Sequence, residues 1–321
     1  MSGASTEGGV GRAHGVSRRG SARWGRPADP PAPEVDVLIP TVGRVAELAV
    51  TLAGLAAQDD PPFTVTISDQ SDDFGSARAP AVQAMVRVLA AQGRPVRLEH
   101  HLPRRGMAEQ RQFLLDTARA PHALFLDDDV WLEPGQLARL HEALRASGAG
   151  FVGAAPQGLS YLADARPHER ASFEPWRGPV HPETMRRGAE GFDRLSLHNA
   201  ANLAHLAADL DLDDDDALLY RIAWLGGCVL YDTARLREAG GFDFWRDAPP
   251  VHSGEDVAAE WRVMERWGGA GVLPSGAVHL EAPTTIPERP VDLFDVVFAP
   301  PAPNQTHAGA AGAAGPERRP S

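Results

Sequence analysis

Ala123-Leu124-Phe125-Leu126-Asp127-Asp128-Asp129 decides the reading of this chain: an apolar run passes without a break into three carboxylates. Such a run suits a short strand buried on both faces, as in a parallel sheet. In an open α/β sheet the ligand crevice lies beyond the carboxyl ends of the strands, which is where the aspartates fall. Adjacent carboxylates repel one another unless a cation offsets them, and hard oxygen ligands suit Mg²⁺ or Mn²⁺ bridging phosphate oxygens. The alternative is a solvated acidic turn that caps the next helix.

Working outward, strand-like runs alternate with helical spacing. Val35-Asp36-Val37-Leu38-Ile39 reads as a strand stopped by Pro40, followed by a helix with Val45, Leu48, Leu52 and Leu55 on one face. Thr64 to Ser68 is a second strand, Pro80 to Ala91 a helix, and Val96 to Glu99 a third strand. Gly106 opens a helix with Met107, Phe113 and Leu114 on its apolar face. Leu137, Leu140 and Leu144 mark another, before a strand over Phe151 to Ala154. Residues 156–220 are mixed and carry aromatics. Beyond them Ile222 to Leu225 and Cys228 to Tyr231 read as strands, Glu255 to Trp267 as a helix, and Ala277 to Leu280 as a last strand. The alternation predicts an α/β single domain over 34–282 with a mainly parallel central sheet. The Gly-, Pro- and Ala-rich flanks, 1–33 and 283–321, read as disordered tails.

Composition narrows the chemistry. Apolar residues make up 43% of the 321, enough for a substantial core. A net charge of -12 argues against a nucleic-acid binder, because phosphate-rich partners need surplus positive charge. All 31 basic residues are arginine, so no lysine is present for a Schiff base, a Walker loop or a kinase site. The lone Cys228 can form neither an internal disulfide nor a cysteine zinc cluster, which fits a reducing compartment. Arg18-Arg19 is followed by no apolar run, so no export signal is read, and Leu48 to Ala57 is too short to span a bilayer. A cytoplasmic protein is expected, with peripheral membrane contact left open.

Other candidates carry two readings each. Ser253-Gly254-Glu255-Asp256 has the S-x-x-D pattern of a capping box, yet Asp256 at a helix start could also act as a general base. Gly226-Gly227, after Trp224, allows close backbone approach to a ligand or an ordinary turn. His279 at a strand end is a metal ligand or a structural histidine. Arg104-Arg105 steers an anion or faces solvent. The acidic run from Asp209 lacks the glycine and glutamate of a calcium loop.

In order along the chain, several short motifs resemble family 2 glycosyltransferases of the GT-A fold, a Rossmann-like architecture. They are Val37-Leu38-Ile39-Pro40-Thr41 with Arg44, Ile67-Ser68-Asp69, Gly106 through Arg111, and Phe125 through Asp129. Gly226-Gly227, Gly240-Gly241-Phe242-Asp243, Gly254-Glu255-Asp256 and Val278-His279 complete the set. The resemblance implies a sugar moved from a nucleotide-diphospho-sugar to a hydroxyl acceptor, metal-dependent and inverting. It puts Pro40, Thr41 and Arg44 against the donor nucleotide, Asp69 on the base, and Gly106 and Arg111 beside the diphosphate or base. Asp127 would touch the ribose, and Asp129 would hold Mn²⁺ or Mg²⁺ with Asp128 beside it. His279 would be an extra metal or phosphate contact. Trp224, Gly226, Gly227 and Glu255 would face sugar and acceptor, with Asp256 as base. Residues 156–220 would be the variable acceptor side, for a carbohydrate, lipid-linked or other hydroxyl acceptor, with Tyr161, Phe173, Trp176 and Phe192 as stacking rings or local core. After the second strand many relatives have Asp-Asp-Gly-Ser, where this chain has Asp69-Gln70-Ser71-Asp72.

Two competing readings remain. Asp127-x-Asp129 imitates the nucleophile motif of haloacid-dehalogenase phosphohydrolases, but it follows several strands rather than the first, and the balancing lysine is absent. A non-catalytic sugar-nucleotide binder on the same fold would not need the aspartate triplet and Asp256 together.

Overall fold

Alternating Val, Leu and Ile build the strands of the first half, and leucines three and four apart build its helices. A computed structural model describes residues 20–25, 30–213, 215–285, 288 and 290–299. The elements are β1 (Val35–Thr41), α1 (Val45–Ala56), β2 (Phe63–Asp69), α2 (Gly75–Arg78), α3 (Pro80–Ala91), β3 (Val96–His100), α4 (Met107–Thr117) and β4 (His122–Leu126). Next come β5 (Val130–Leu132), α5 (Gln136–Ser147), β6 (Phe151–Gly153), α6 (Asn202–Asp209), β7 (Leu218–Tyr220) and β8 (Cys228–Asp232). The last are α7 (Thr233–Glu238), α8 (Glu255–Trp267), β9 (Gly269–Leu273), β10 (Ala277–His279) and α9 (Leu293–Val297).

Eight strands form one sheet in the order β3-β2-β1-β4-β8-β6-β9-β7. Only β8 and β7 run against their neighbours, so the sheet is mainly parallel, as the alternation predicts. Pleating sends Val37 and Ile39 to one face, where they meet Leu48 and Leu52 of α1 and Leu137 and Leu140 of α5. Leu38 goes to the other face, with Leu114 of α4 and Trp261 and Met264 of α8. A small antiparallel ladder pairs β10 with β5, His279 opposite Val130, and carries His279 to the aspartate turn.

Several expectations need correction. Pro40 does not stop β1, which pairs with β2 through Thr41. The Gln70 N–H donates to the Thr41 carbonyl, so Thr41 faces β2 and Pro40 faces the β4 side, where pairing has already ended at Leu38. A missing N–H costs nothing there. Val45 is 36% exposed, in the first turn of α1, while Leu48, Leu52 and Leu55 are fully buried.

Ile222 to Leu225 is not a strand. Ile222, Ala223 and Leu225 are buried, but side chains of α8 satisfy backbone groups here: Trp261 Nε1–H donates to the Ala223 carbonyl, and the Leu225 N–H donates to Glu260. The capping box does not form either. Gly254, at φ 74°, precedes α8, and Ser253 donates instead to Asp292.

The C-terminal flank also departs from a disordered tail over residues 291–299. Ser253 and Asp292 form a bridge, α9 lies on α8, and Phe294 packs edge-on against Trp261 at 5.2 Å. The apolar Leu293-Phe294 pair, hidden in a Pro-rich context, supplies the burial. Residues 1–19, 26–29, 286–287, 289 and 300–321, where much of the tail expectation falls, lie outside the described residues.

If 291–299 belongs to the folded domain, Phe294→Ala should lower unfolding free energy by about 2–4 kcal/mol in urea. A free tail would give no change.

Candidate active site

Strand ends and helix starts converge on one cleft of about 580 Å³. The end of β1 contributes Pro40, Thr41 and Arg44, and the end of β4 contributes Asp127, Asp128 and Asp129. α4 supplies Arg111, the start of α8 supplies Glu255 and Asp256, β10 supplies His279, and the irregular segment before β8 supplies Trp224. The two acidic groups singled out in the sequence therefore share a cavity.

The three aspartates have different surroundings. Asp128 is a bracket: its carboxylate accepts from Thr41 Oγ1 at 2.6 Å and Arg44 Nη1 at 3.0 Å, and its carbonyl accepts from Thr51 Oγ1. Burial pushes its carboxyl up to about 7, against the Thr41 hydrogen bond and the Arg44 charge. Asp129 takes Arg44 Nη1 on Oδ2 at 2.5 Å, and burial together with the Asp127 charge raises its carboxyl too. Arg44 Nη2 also reaches the Pro283 carbonyl at 2.6 Å. Asp127 is the most open, with Oδ1 on Arg111 Nη2 at 2.9 Å. One oxygen of Asp127 and one of Asp129 carry no hydrogen bond among the described residues.

That pair suits a hard divalent cation, since Mg²⁺ and Mn²⁺ sites use one or two carboxylates and complete the shell with substrate phosphates. Among the described residues no group of three or more His, Cys, Asp or Glu side chains could hold a metal ion. His279 Nδ1 accepts the Glu281 N–H at 2.8 Å, and its Nε2 lies 3.6 Å from Asp129 Oδ2.

Arg111 joins the two halves of the cleft. Its side chain is 6% exposed and spans Asp127 and Glu255, the latter at 3.2 Å from Nε. Burial opposes its charge, but Asp127 and Glu255 outweigh this and its pKa rises. Asp256 is partly buried and lines the cleft, and its Oδ1 accepts the Val257 N–H. Burial first, and the Glu255 charge second, push its carboxyl up to about 7, with Arg111 opposing. A carboxyl in that range is half-ionised near neutral pH, which suits a general base.

Four of the predicted residues support the cleft without lining it. Asp69 is fully buried, and its carboxylate accepts the Ser71 and Ala77 N–H groups, so it shapes a loop rather than presenting itself to a base. Gly106, at φ 105°, has no room for a side chain because His252 lies 2.5 Å from where a Cβ would be. Gly227 donates no side chain and gives its carbonyl to the Asp127 N–H, while Gly226 sits beneath both Trp224 and Asp256 Oδ2.

Arg187, Phe192, Leu195, His252, Asp292 and Phe294 line the cleft without a motif to announce them. Only Phe192 stood out beforehand, as an aromatic in the variable region. Tyr161 is 45% exposed, and Phe173 packs on Tyr220 instead.

The Glycosyl transferase family 2 signature matches residues 36–205, more than half of the chain. The chain belongs to glycosyl transferase family 2. No curated protein shows significant similarity to it. Among solved structures, S. aureus TarS residues 1–349 aligns at TM-score 0.46 and 16% identity, over 74% of this chain and 57% of that one. The Pyrobaculum calidifontis mannosyltransferase PcManGT, solved with GDP-Man and Mn²⁺, aligns at 0.46 and 17%, over 79% and 62%. This family 2 chain thus spans about three fifths of the length of those relatives. No helix among the described residues is long and apolar enough to cross a membrane.

The raised Asp256 carboxyl has a stability consequence. Native protein keeps a proton there that the unfolded chain releases above the ordinary carboxylate range, so this group destabilises folding progressively from about pH 4 to about pH 7. Asp256→Asn should therefore be more stable than wild type by about 1–3 kcal/mol above neutrality, with the gain shrinking below about pH 4. Urea titrations at the two extremes check this, and an equal difference at both would contradict it.

Proposed function

We propose that this family 2 protein transfers a sugar from a nucleotide-diphospho-sugar to an acceptor hydroxyl, with inversion, as a hexosyl- or related transferase. The observation that supports this best is the shared cleft, with an acid cluster at the sheet edge and Asp256 facing the same cavity.

In this reading Asp127 and Asp129 hold Mn²⁺ or Mg²⁺ through their unpartnered oxygens. When bound, the ion supplies Lewis-acid stabilisation of the charge that collects on the departing diphosphate. Arg44, Arg111 and His279 line the cleft, and the two arginines can donate to phosphate oxygens, a task arginine performs without lysine. Asp128 keeps the loop after β1 in place through Thr41 and Arg44.

Across the cleft, the Asp256 carboxylate accepts the acceptor's proton as its oxygen attacks the anomeric carbon from the face opposite the leaving group. The new C–O bond forms as the bond to the diphosphate breaks, so the configuration inverts. Trp224, Phe192 and Leu195 give the cleft an apolar wall suited to the face of a sugar ring. The acceptor is a carbohydrate, lipid-linked or other hydroxyl compound, and the buried free thiol of Cys228 accords with a cytoplasmic setting.

Incubation with a panel of nucleotide sugars and Mn²⁺ should release nucleoside diphosphate, slowly with water and faster with a matching acceptor. Rates should climb with pH through about 7, as Asp256 ionises. Asp256→Asn should lose about 10²–10⁴-fold in turnover. Silence of the wild type toward every donor and acceptor would end the reading. For the metal, Asp129→Ala should abolish the Mn²⁺-dependent part of nucleoside diphosphate binding in calorimetry, and an unchanged affinity would refute its role.

A further inference from the structure

Three carboxyls crowd the first two turns of α8: Glu255, Asp256 and Glu260. Asp127 faces them from the end of β4. The cation among them is Arg111 of α4, which pairs with Asp127 and Glu255. Neither Asp256 nor Glu260 has an ion-pair partner among the described residues. The remaining ionisable neighbour is Tyr231 of β8, which is buried and whose pKa is pushed up, first by burial and then by Glu260. Two uncompensated carboxylates one helical turn apart, in a water-poor site, would repel each other strongly. One of them holds a proton.

Geometry identifies which. Glu260 is completely buried, while Asp256 opens to the cleft and its water. Glu260 Oε2 accepts the Leu225 N–H at 2.7 Å, and its Oε1 has no partner. An unpartnered buried hydroxyl costs far less than the unpartnered half of a carboxylate charge. Burial and the Asp256 charge raise the Glu260 carboxyl well above its ordinary value, in keeping with this.

Glu260 also has a mechanical role. Leu225 lies between Trp224, on the cleft wall, and Gly226, where an added Cβ would stand 3.7 Å from Asp256 Oδ2 and 3.1 Å from the Trp224 ring. The next residue of α8, Trp261, fixes the Ala223 carbonyl at 2.8 Å. Adjacent α8 side chains thus hold a strand-less segment at two points beside Asp256. We propose that Glu260 keeps its proton in the resting protein and acts as a positioning residue, pinning the Trp224–Gly227 turn while leaving the negative charge to Asp256. The part concerning Asp256 as base rests on the glycosyl-transfer reading; the proton and the pinning do not.

Infrared spectroscopy reads the proton directly. Protein carrying carbon-13 in its glutamate carboxyls should show, above neutral pH, a protonated-carboxyl band that shifts with the label and vanishes in Glu260→Gln. No such band in wild type, or the same band in Glu260→Gln, would overturn the proposal. Hydrogen exchange tests the pinning: Glu260→Gln, which retains an acceptor oxygen, should keep the Leu225 amide protected. Glu260→Leu should expose that amide at least about tenfold relative to its neighbours, and equal protection in both variants would overturn the role. If Glu260→Leu does not fold, the labelled wild-type band still decides the matter of the proton.

Activity adds a third readout. Because Gln mimics a neutral acid, the acid limb of donor turnover in Glu260→Gln should stay in place; a downward shift of about one pH unit or more would show that Glu260 had been ionised. A donor panel that stays silent while the infrared band is present would sink the glycosyl-transfer reading and leave the buried proton established.

Discussion

The Arg111 guanidinium, enclosed between α4 and the sheet, spans Asp127 at the end of β4 and Glu255 at the start of α8. Without it the buried Glu255 carboxylate would lose its cation, and the half-exposed Asp127 would lose a partner. With it, elements more than a hundred residues apart present their acids to one cavity. Asp256 is poised near neutrality because burial and the Glu255 charge outweigh the Arg111 charge.

A second arginine serves the aspartate turn. Arg44 ties the loop after β1 to Asp128, Asp129 and the Pro283 carbonyl. Lysine would make a poorer substitute at either place, because a planar fork reaches several acceptors at once while an ammonium is a point charge. An all-arginine chain is thus well matched to a site in which single cations are shared.

Much of this was legible beforehand where local pattern and final environment coincide. Phe125-Leu126-Asp127 announces a buried strand ending at a crevice, and β4 does so. The leucines of α1 and α5 announce one-sided helices, and both bury those faces. Legibility failed where tertiary contacts replaced local ones. Ile222 to Leu225 has strand composition, but Glu260 and Trp261 satisfy its backbone in place of a ladder. Ser253 has the spacing of a cap, yet a partner 39 residues away captures its hydroxyl. Asp69 fits a ligand-facing motif, but two backbone N–H groups claim it. Leu293 and Phe294 are too few to register as an amphipathic helix until Trp261 is found beneath them.

Pro40 has a lasting effect on the shape of the molecule. With no hydrogen to offer on its β4 side, it leaves the seam between the first and fourth strands unable to zip past Leu38. The cleft opens where that pairing ends, and Pro40 is part of its lining.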